Sequence, residues 1–395
     1  MRTNTRLRPG IWPAALLLPV WQAALAVSPA GFNLAVENAG VDCPVVAVEA
    51  TARDTLPDPL LAPDGGRITD PARWRCQRQQ TLHLLEEQVY GSKGPAPERV
   101  TGTVHVDRIE VEVTHAGRSE RFSAPVHLPE GAGPFPAMLV MAGVAGVSPA
   151  LLAAEGVARI EFPSTVLGAE TGEGRRKEGA FYRLYGEQAA ATGTLMAWAW
   201  GVSRIIDVIA ASDGRLLRAD ALGITGCSRH GKGALAAGAF DQRVALTVPI
   251  ESGAGGVPTW RHALPGAQPA HSAFGEQPWL GDGFGRFATD PRLLAVDQHQ
   301  VLALVAPRGL LVLDNPHVAW LGASGGHASA RAAAPVYAAL GASGNLGYHG
   351  DVADPRHCAW RPEWDAPARE AIRRHLLRQP ADDPGFIAPD ASPRD

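Results

Sequence analysis

Residues 221–256 read ALGITGCSRHGKGALAAGAFDQRVALTVPIESGAGG. Residues 222–225 form a short apolar run with Ile and Thr, suited to a buried strand. The run breaks at Gly226-Cys227-Ser228-Arg229-His230-Gly231, and residues 232–240 then place Ala and Leu on one helical face. A strand, a glycine-bounded turn and a helix form the context that lifts a serine onto a sharp nucleophile elbow, its hydroxyl clear of the sheet and near backbone N–H groups. Two general motifs compete for these residues. Residues 226–232 satisfy G-x-x-x-x-G-K of a phosphate loop, but Gly233 stands where a Ser or Thr should hold Mg²⁺. The elbow pattern G-x-S-x-G is met only in part, since its second glycine comes one residue late, at Gly231.

The 395 residues are 46% hydrophobic, enough for a large core, and length alone allows one to three domains. A net charge of −4 leaves no basic surplus for nucleic acid and no acidic block for a solvating tail. With 44 Gly and 33 Pro the chain is loop-rich. Residues 1–26 resemble a secretory signal: Arg2, Arg6 and Arg8 make a basic start, residues 11–20 an apolar stretch too short to span a bilayer, and Ala24-Leu25-Ala26 a cleavage site. No later stretch is expected to be long and apolar enough to span a membrane, so an exported, soluble chain is expected. In an oxidising compartment four cysteines favour bridges, with three connectivities open. Neither C-x-x-C nor H-E-x-x-H occurs, so no metal site is expected.

Along the chain, residues 27–97 are Pro-rich and irregular around one helix at 75–89. Alternation at 100–113 and 122–128 predicts antiparallel edge strands. The apolar run 136–141 suits a central parallel strand, and the Gly143 and Gly146 loop behind it is a weak source of oxyanion N–H groups. Residues 193–211 keep a 3.6-residue period through Met196, Trp200, Val202, Ile205, Ile206 and Ile209; Trp198 and Trp200 there are core residues rather than a sugar platform. Further strands are expected at 245–250 and 309–313, and a closing helix at 367–378. Alternating strands and helices imply a mainly parallel α/β sheet in one catalytic domain, 27–378, with a polar tail at 379–395.

A serine hydroxyl needs a base to take its proton, and the base needs a third group to fix its tautomer. Ser228, Glu251 and His357 occur in the order serine, acid, histidine. Glu251 follows the next strand, which starts its carboxylate on the same sheet edge as the elbow. Asp314, beside Asn315, His317 and Trp320, is the competing acid. Taken alone, Lys232 is a solvated lysine at a helix start. Arg229, directly after the serine, has its backbone N–H placed for an oxyanion and a guanidinium able to add a cationic donor; the plainer alternative is a surface arginine pairing with a nearby carboxylate.

The string Gly226-Cys227-Ser228-Arg229-His230-Gly231-Lys232-Gly233-Ala234 resembles the G-C-S-R-x-G-K-x-A signature of the glucuronoyl esterases, carbohydrate esterase family 15. Pro249-Ile250-Glu251-Ser252-Gly253-Ala254-Gly255-Gly256 is similar to their P-x-E-S-G-x-G-G segment, and the likeness runs on through residues 195–204 and Arg356-His357-Cys358. The resemblance implies an α/β-hydrolase fold, a three-layer αβα sandwich. It implies Ser228 as nucleophile, His357 as base, Glu251 as its orienting acid and Arg229 as oxyanion donor. It implies bridges Cys227–Cys358 and Cys43–Cys76. Lys232, Gln268 and Glu276 of the E-x-x-W spacing Glu276-Gln277-Pro278-Trp279 become donors and acceptors to a uronate ring, and Trp320 packs on it.

The function implied is hydrolysis of the ester between (4-O-methyl-)D-glucuronate of glucuronoxylan and a lignin alcohol, by a secreted monomer without cofactor, nucleic acid or membrane partner. The nearest rival is the same fold acting on an acetyl or feruloyl ester. A non-catalytic carbohydrate binder would keep Trp320, Gln268 and Glu276 without needing the serine, and a phosphate-loop NTPase would need the Mg²⁺ ligand that Gly233 replaces.

Overall fold

The computed structural model describes Met1 and residues 35–142, 146–170, 177–261 and 265–380. The leader beyond Met1, Gly143 and residues 381–395 of the tail lie outside the described residues.

Nine strands form one sheet in the order β1-β2-β3-β5-β4-β6-β7-β8-β9. They are β1 Arg99–Val104, β2 Arg108–His115, β3 Arg118–His127, β4 Phe135–Met141, β5 Ala158–Phe162, β6 Leu217–Cys227, β7 Val244–Ile250, β8 Gly309–Leu313 and β9 Leu346–His349. The first three pair antiparallel, and β3 meets β5 antiparallel. From β5 to β9 every pairing is parallel. The edge hairpins show the expected alternation, with Ile109, Val111 and Val113 inward and the polar partners outward.

The parallel half is buried on both faces, which is why β4 and β8 are continuous apolar runs. On β4, Ala137, Leu139 and Met141 join one core and Met138 and Val140 the other. The first core holds the helices Thr194–Ala211 and Arg229–Phe240; the second is closed by Trp364, Ile372 and Leu376 around the helix Asp365–His375. Helices on both faces make the three layers of an α/β-hydrolase sandwich.

Several local expectations are revised. The first helix runs Pro71–Leu85, capped by the Asp70 side chain and started by proline, and continues as a π turn to Tyr90. The elbow helix begins at Arg229, three residues earlier than periodicity indicated, and its strand β6 extends back to Leu217. Missed altogether were β5 and β9, which are only five and four residues long, and the helix Ala323–Ala339, which contains Gly325, Gly326 and Pro335. The helix Thr194–Ala211 is, contrary to expectation, long and apolar enough to cross a membrane, yet 83% of it is buried inside the fold. It is a core helix whose charged residues, Arg204 and Asp207, are paired with each other and with Glu37 and Arg243. Trp198 and Trp200 are fully buried on it, as expected.

The elbow helix lies close against β7. At Gly238 an added Cβ would sit 2.1 Å from Thr247 Oγ1, and Thr247 is itself fully buried. Gly238→Ala is therefore expected to destabilise the fold by about 1–3 kcal/mol through overpacking, read as a lower midpoint in urea unfolding. An unchanged midpoint would show that the helix has room to move.

Candidate active site

β6 ends at Cys227, and Ser228 turns the chain with φ 59° and ψ −128° before the helix starts. A positive φ on a non-glycine residue stores about 1–3 kcal/mol of strain. The turn is held by the Ser228 N–H donating to Ile250 O at 2.9 Å and by the Lys232 N–H donating to Ser228 O at 3.1 Å. Gly226 is obligatory, since a Cβ there would lie 2.5 Å from the His230 carbonyl. The result is a serine at the carboxyl edge of the sheet, beside the uncapped first N–H groups of a twelve-residue helix.

Glu251 stands one residue past β7, also at positive φ (43°), with its N–H bonded to Leu313 O at 2.7 Å. Its side chain is fully buried and fully engaged. His357 Nδ1 lies 2.6 Å from Oε2, the Cys358 N–H donates to the same oxygen at 2.7 Å, and Arg361 Nη1 donates to Oε1 at 2.6 Å. Burial alone would raise this carboxyl; the bonds from His357 and Cys358 and the Arg361 charge outweigh it and hold it below the ordinary 4.5. Arg361 is itself buried, lies over the Trp364 ring at 4.3 Å, and donates to the carbonyls of Asp354, Arg356 and Ala359. It thus shapes the loop that carries His357.

The second restraint on that loop is covalent. Cys227 and Cys358 form a disulfide with Cα atoms 5.7 Å apart, and Cys43 is bridged to Cys76. Because Ser228 and His357 each adjoin a bridged cysteine, one trans peptide step of about 3.8 Å on either side limits their Cα separation to roughly 13 Å. With Nδ1 committed to Glu251, the ring turns Nε2 past Cys358 Sγ at 3.5 Å. No hydrogen bond joins Nε2 to Ser228 Oγ among the described residues; such bonds are often long until substrate binds.

Around this axis stand the remaining candidates. Lys232 is buried, against the solvated reading, and donates to Ser252 O at 2.5 Å with Nζ 4.9 Å from the Trp279 ring centroid. Burial pushes its amine down to about 7, against the pull of Glu276. Gln268 Nε2 donates to Glu276 Oε2 at 2.6 Å, and the Gln268 N–H to Trp320 O at 3.0 Å. Trp320 is 45% exposed and sets its ring edge-on to His357 with centroids 4.8 Å apart. Arg229 is half-exposed, 3.7 Å from Glu170, the carboxylate partner that the plainer reading of this arginine required. Glu170, Trp279 and Arg361 were not singled out from the sequence. Trp279 was visible only as the end of the E-x-x-W spacing, and Glu170 carried no signal.

Asp314, the competing acid, has no hydrogen bond to His357 among the described residues. Tyr348 Oη donates toward it at 3.2 Å, and burial pushes its carboxyl up to about 7. Its neighbours instead tie the histidine loop down: Asn315 Nδ2 donates to Pro355 O at 3.3 Å, and His317 Nε2 lies 2.7 Å from Val352 O. Cys227, Glu251, His357 and Cys358 cluster closely enough to suggest a metal site. Both sulfurs are committed to the disulfide and have no thiolate to offer, so the group does not fit a metal.

A parallel-sheet sandwich with an elbow serine at the carboxyl edge, and a histidine loop anchored on the acid of the next strand, defines an α/β-hydrolase. Residues 111–341 match the family model described as "Glucuronyl esterase, fungi". The 4-O-methyl-glucuronoyl methylesterase of Schizophyllum commune is 37% identical over 345 residues, 86% of this chain and 87% of that one. The enzyme of the same name from Hypocrea jecorina is 34% identical over 349 residues, 86% of this chain and 74% of its own. Among solved structures, the Hypocrea jecorina glucuronoyl esterase catalytic domain superposes with a TM-score of 0.82 at 32% identity, covering 88% of this chain and 96% of that one. A serine-to-alanine mutant of the Sporotrichum thermophile glucuronoyl esterase, in complex with methyl 4-O-methyl-β-D-glucopyranuronate, gives 0.81 at 32% identity, covering 89% and 95%. The chain belongs to the glucuronoyl esterase family and is a carboxylic ester hydrolase.

Arg361→Met would strip Glu251 of the buried guanidinium paired with it and is expected to cost about 3–5 kcal/mol. The pH dependence has a definite sign. A carboxyl held below its unfolded value adds stability that is full above about 4.5 and lost as pH falls through the folded value. Removing the arginine raises the folded value, so acid unfolding of the variant should begin at higher pH. Denaturant titrations between pH 3 and pH 6 check this; parallel curves for both proteins would contradict it.

Proposed function

We propose that the chain is an exported serine esterase that hydrolyses the ester between (4-O-methyl-)D-glucuronate of glucuronoxylan and lignin alcohols, its catalytic domain spanning residues 27–378. The observation that carries the reading is the hydrogen-bonded Glu251–His357 pair bridged covalently to the residue before Ser228. The names of the relatives and the glucuronate ester bound in the Sporotrichum thermophile enzyme supply the substrate class. Export is supported by the basic, apolar and A-x-A segments of residues 1–26 and by two disulfides.

Ser228 Oγ attacks the ester carbonyl while His357 Nε2 takes its proton, and Glu251 stabilises the imidazolium through Nδ1. Negative charge on the former carbonyl oxygen falls beside the Arg229 N–H and guanidinium. Collapse expels the alcohol, protonated by His357, and leaves an acyl-enzyme on Ser228. Water, deprotonated by the same imidazole, attacks the acyl carbon and releases the uronic acid and free serine. Lys232, Gln268 and Glu276 offer polar contacts to ring hydroxyls, and the half-exposed face of Trp320 a surface for the ring's C–H bonds.

Ser228→Ala is expected to lower kcat on benzyl D-glucuronate by at least about 10³-fold and to abolish labelling by a fluorophosphonate. Wild-type turnover by the variant would end this reading. Initial rates on methyl D-glucuronate should also exceed those on an acetylated xyloside; the reverse order would transfer the assignment to the acetyl-ester alternative.

A further inference from the structure

We infer that Glu170 is a positioning residue for the reaction, holding the Arg229 guanidinium beside the ester carbonyl through paired contacts to Arg229 and Trp279. This rests on the reading of Arg229 as the donor to the oxyanion. Glu170 lies just beyond the short helix that follows β5, far upstream of the elbow, and its side chain is only 9% exposed. One carboxylate oxygen, Oε1, accepts the indole N–H of Trp279. The other, Oε2, faces Arg229 Nη1 at 3.7 Å. The guanidinium also lies near the Trp279 ring, 6.0 Å from its centroid. Both restraints on a long, half-exposed side chain therefore pass through the same buried carboxylate.

The segment carrying Glu170 is registered to the elbow helix. Trp198 Nε1 donates to Gly168 O at 2.9 Å, and the Ala169 N–H to Glu178 O at 3.0 Å. Trp198 in turn stacks on the His230 ring with centroids 5.5 Å apart and fills the space where a Cβ on Gly233 would lie, 2.7 Å away. Glu170 is thus fixed relative to the helix whose first residue is Arg229. The 3.7 Å separation matters chemically. It is too long for a hydrogen bond, so the carboxylate orients the cation by charge while leaving guanidinium N–H groups free for an oxyanion. Its bond to Trp279 also keeps the indole under Lys232.

A double-mutant cycle tests the assignment, with benzyl D-glucuronate as substrate and full-length protein. Glu170→Gln keeps an oxygen acceptor for the Trp279 N–H and removes the charge facing Arg229. It should lower kcat roughly tenfold, the size of one charged contact made in the transition state, with KM moved by less than about twofold. Arg229→Ala alone should lower kcat by about 10²-fold. Adding Glu170→Gln to Arg229→Ala should then cost less than about twofold, because the cation it acts through is gone. A merely structural glutamate would cost the same factor in both backgrounds, and that result would overturn the inference. So would a Glu170→Gln enzyme with wild-type kcat while Arg229→Ala keeps its loss, an outcome that leaves the role of Arg229 standing. If Arg229→Ala is itself unimpaired, the reading of the arginine falls and the inference falls with it.

Discussion

A fully buried carboxylate must be satisfied on every side, and at Glu251 that demand organises the whole carboxyl edge of the sheet. One oxygen takes a ring nitrogen and a backbone N–H from the loop at 357–358; the other takes a guanidinium that also braces three carbonyls of the same region. An unpaired charge here would be costly, so the loop has one low-energy place to sit. The disulfide to Cys227 then joins that place to the elbow. Two strained residues, Ser228 and Glu251, are tolerated at the ends of adjacent strands because β6 and β7 pair up to Cys227 and Ile250, immediately before each of them.

The parts of the site legible in the sequence were those whose chemistry is local. Gly226 to Ala234 suggested a strand-turn-helix elbow although its second glycine comes one residue late; the resemblance, not the spacing, singled out Ser228 and preferred Glu251 over Asp314. What escaped was non-local. Arg361 sits only four residues past His357, but nothing in the string His357-Cys358-Ala359-Trp360-Arg361 says that its guanidinium turns inward to a carboxylate on β7's far end. Glu170 is one acid among forty acidic residues until the fold brings it under Trp279. Only the reading of Lys232 taken alone, as a solvated lysine at a helix start, is overturned; here the carbonyl of Ser252 and the face of Trp279 enclose it.

The same division holds for the fold. The helix Thr194–Ala211 was visible through its 3.6-residue period, and β4 because burial on both faces leaves a continuous apolar run. β5 and β9 were not, since Arg159 and Glu161 interrupt the first and Gly347 and His349 the second, whereas β8, equally short, is one apolar run. The helix Ala323–Ala339 was hidden by its own glycines and proline. Glycine is useful there: Gly326 lets the helix approach Asp314, whose Oδ2 would lie 2.6 Å from a Cβ. Packing overrode propensity, as it commonly does.

The depth of the groups in the site has an engineering consequence. The residues that fix geometry, Glu251, Arg361 and Trp279, are sealed in the interior, whereas Trp320 and Arg229 reach solvent. Exchanges at an exposed position usually move stability by no more than about 0.5 kcal/mol. Under the proposed function, a library randomised at position 320 varies the surface offered to the sugar ring on a scaffold that stays folded, so selectivity is evolvable separately from robustness.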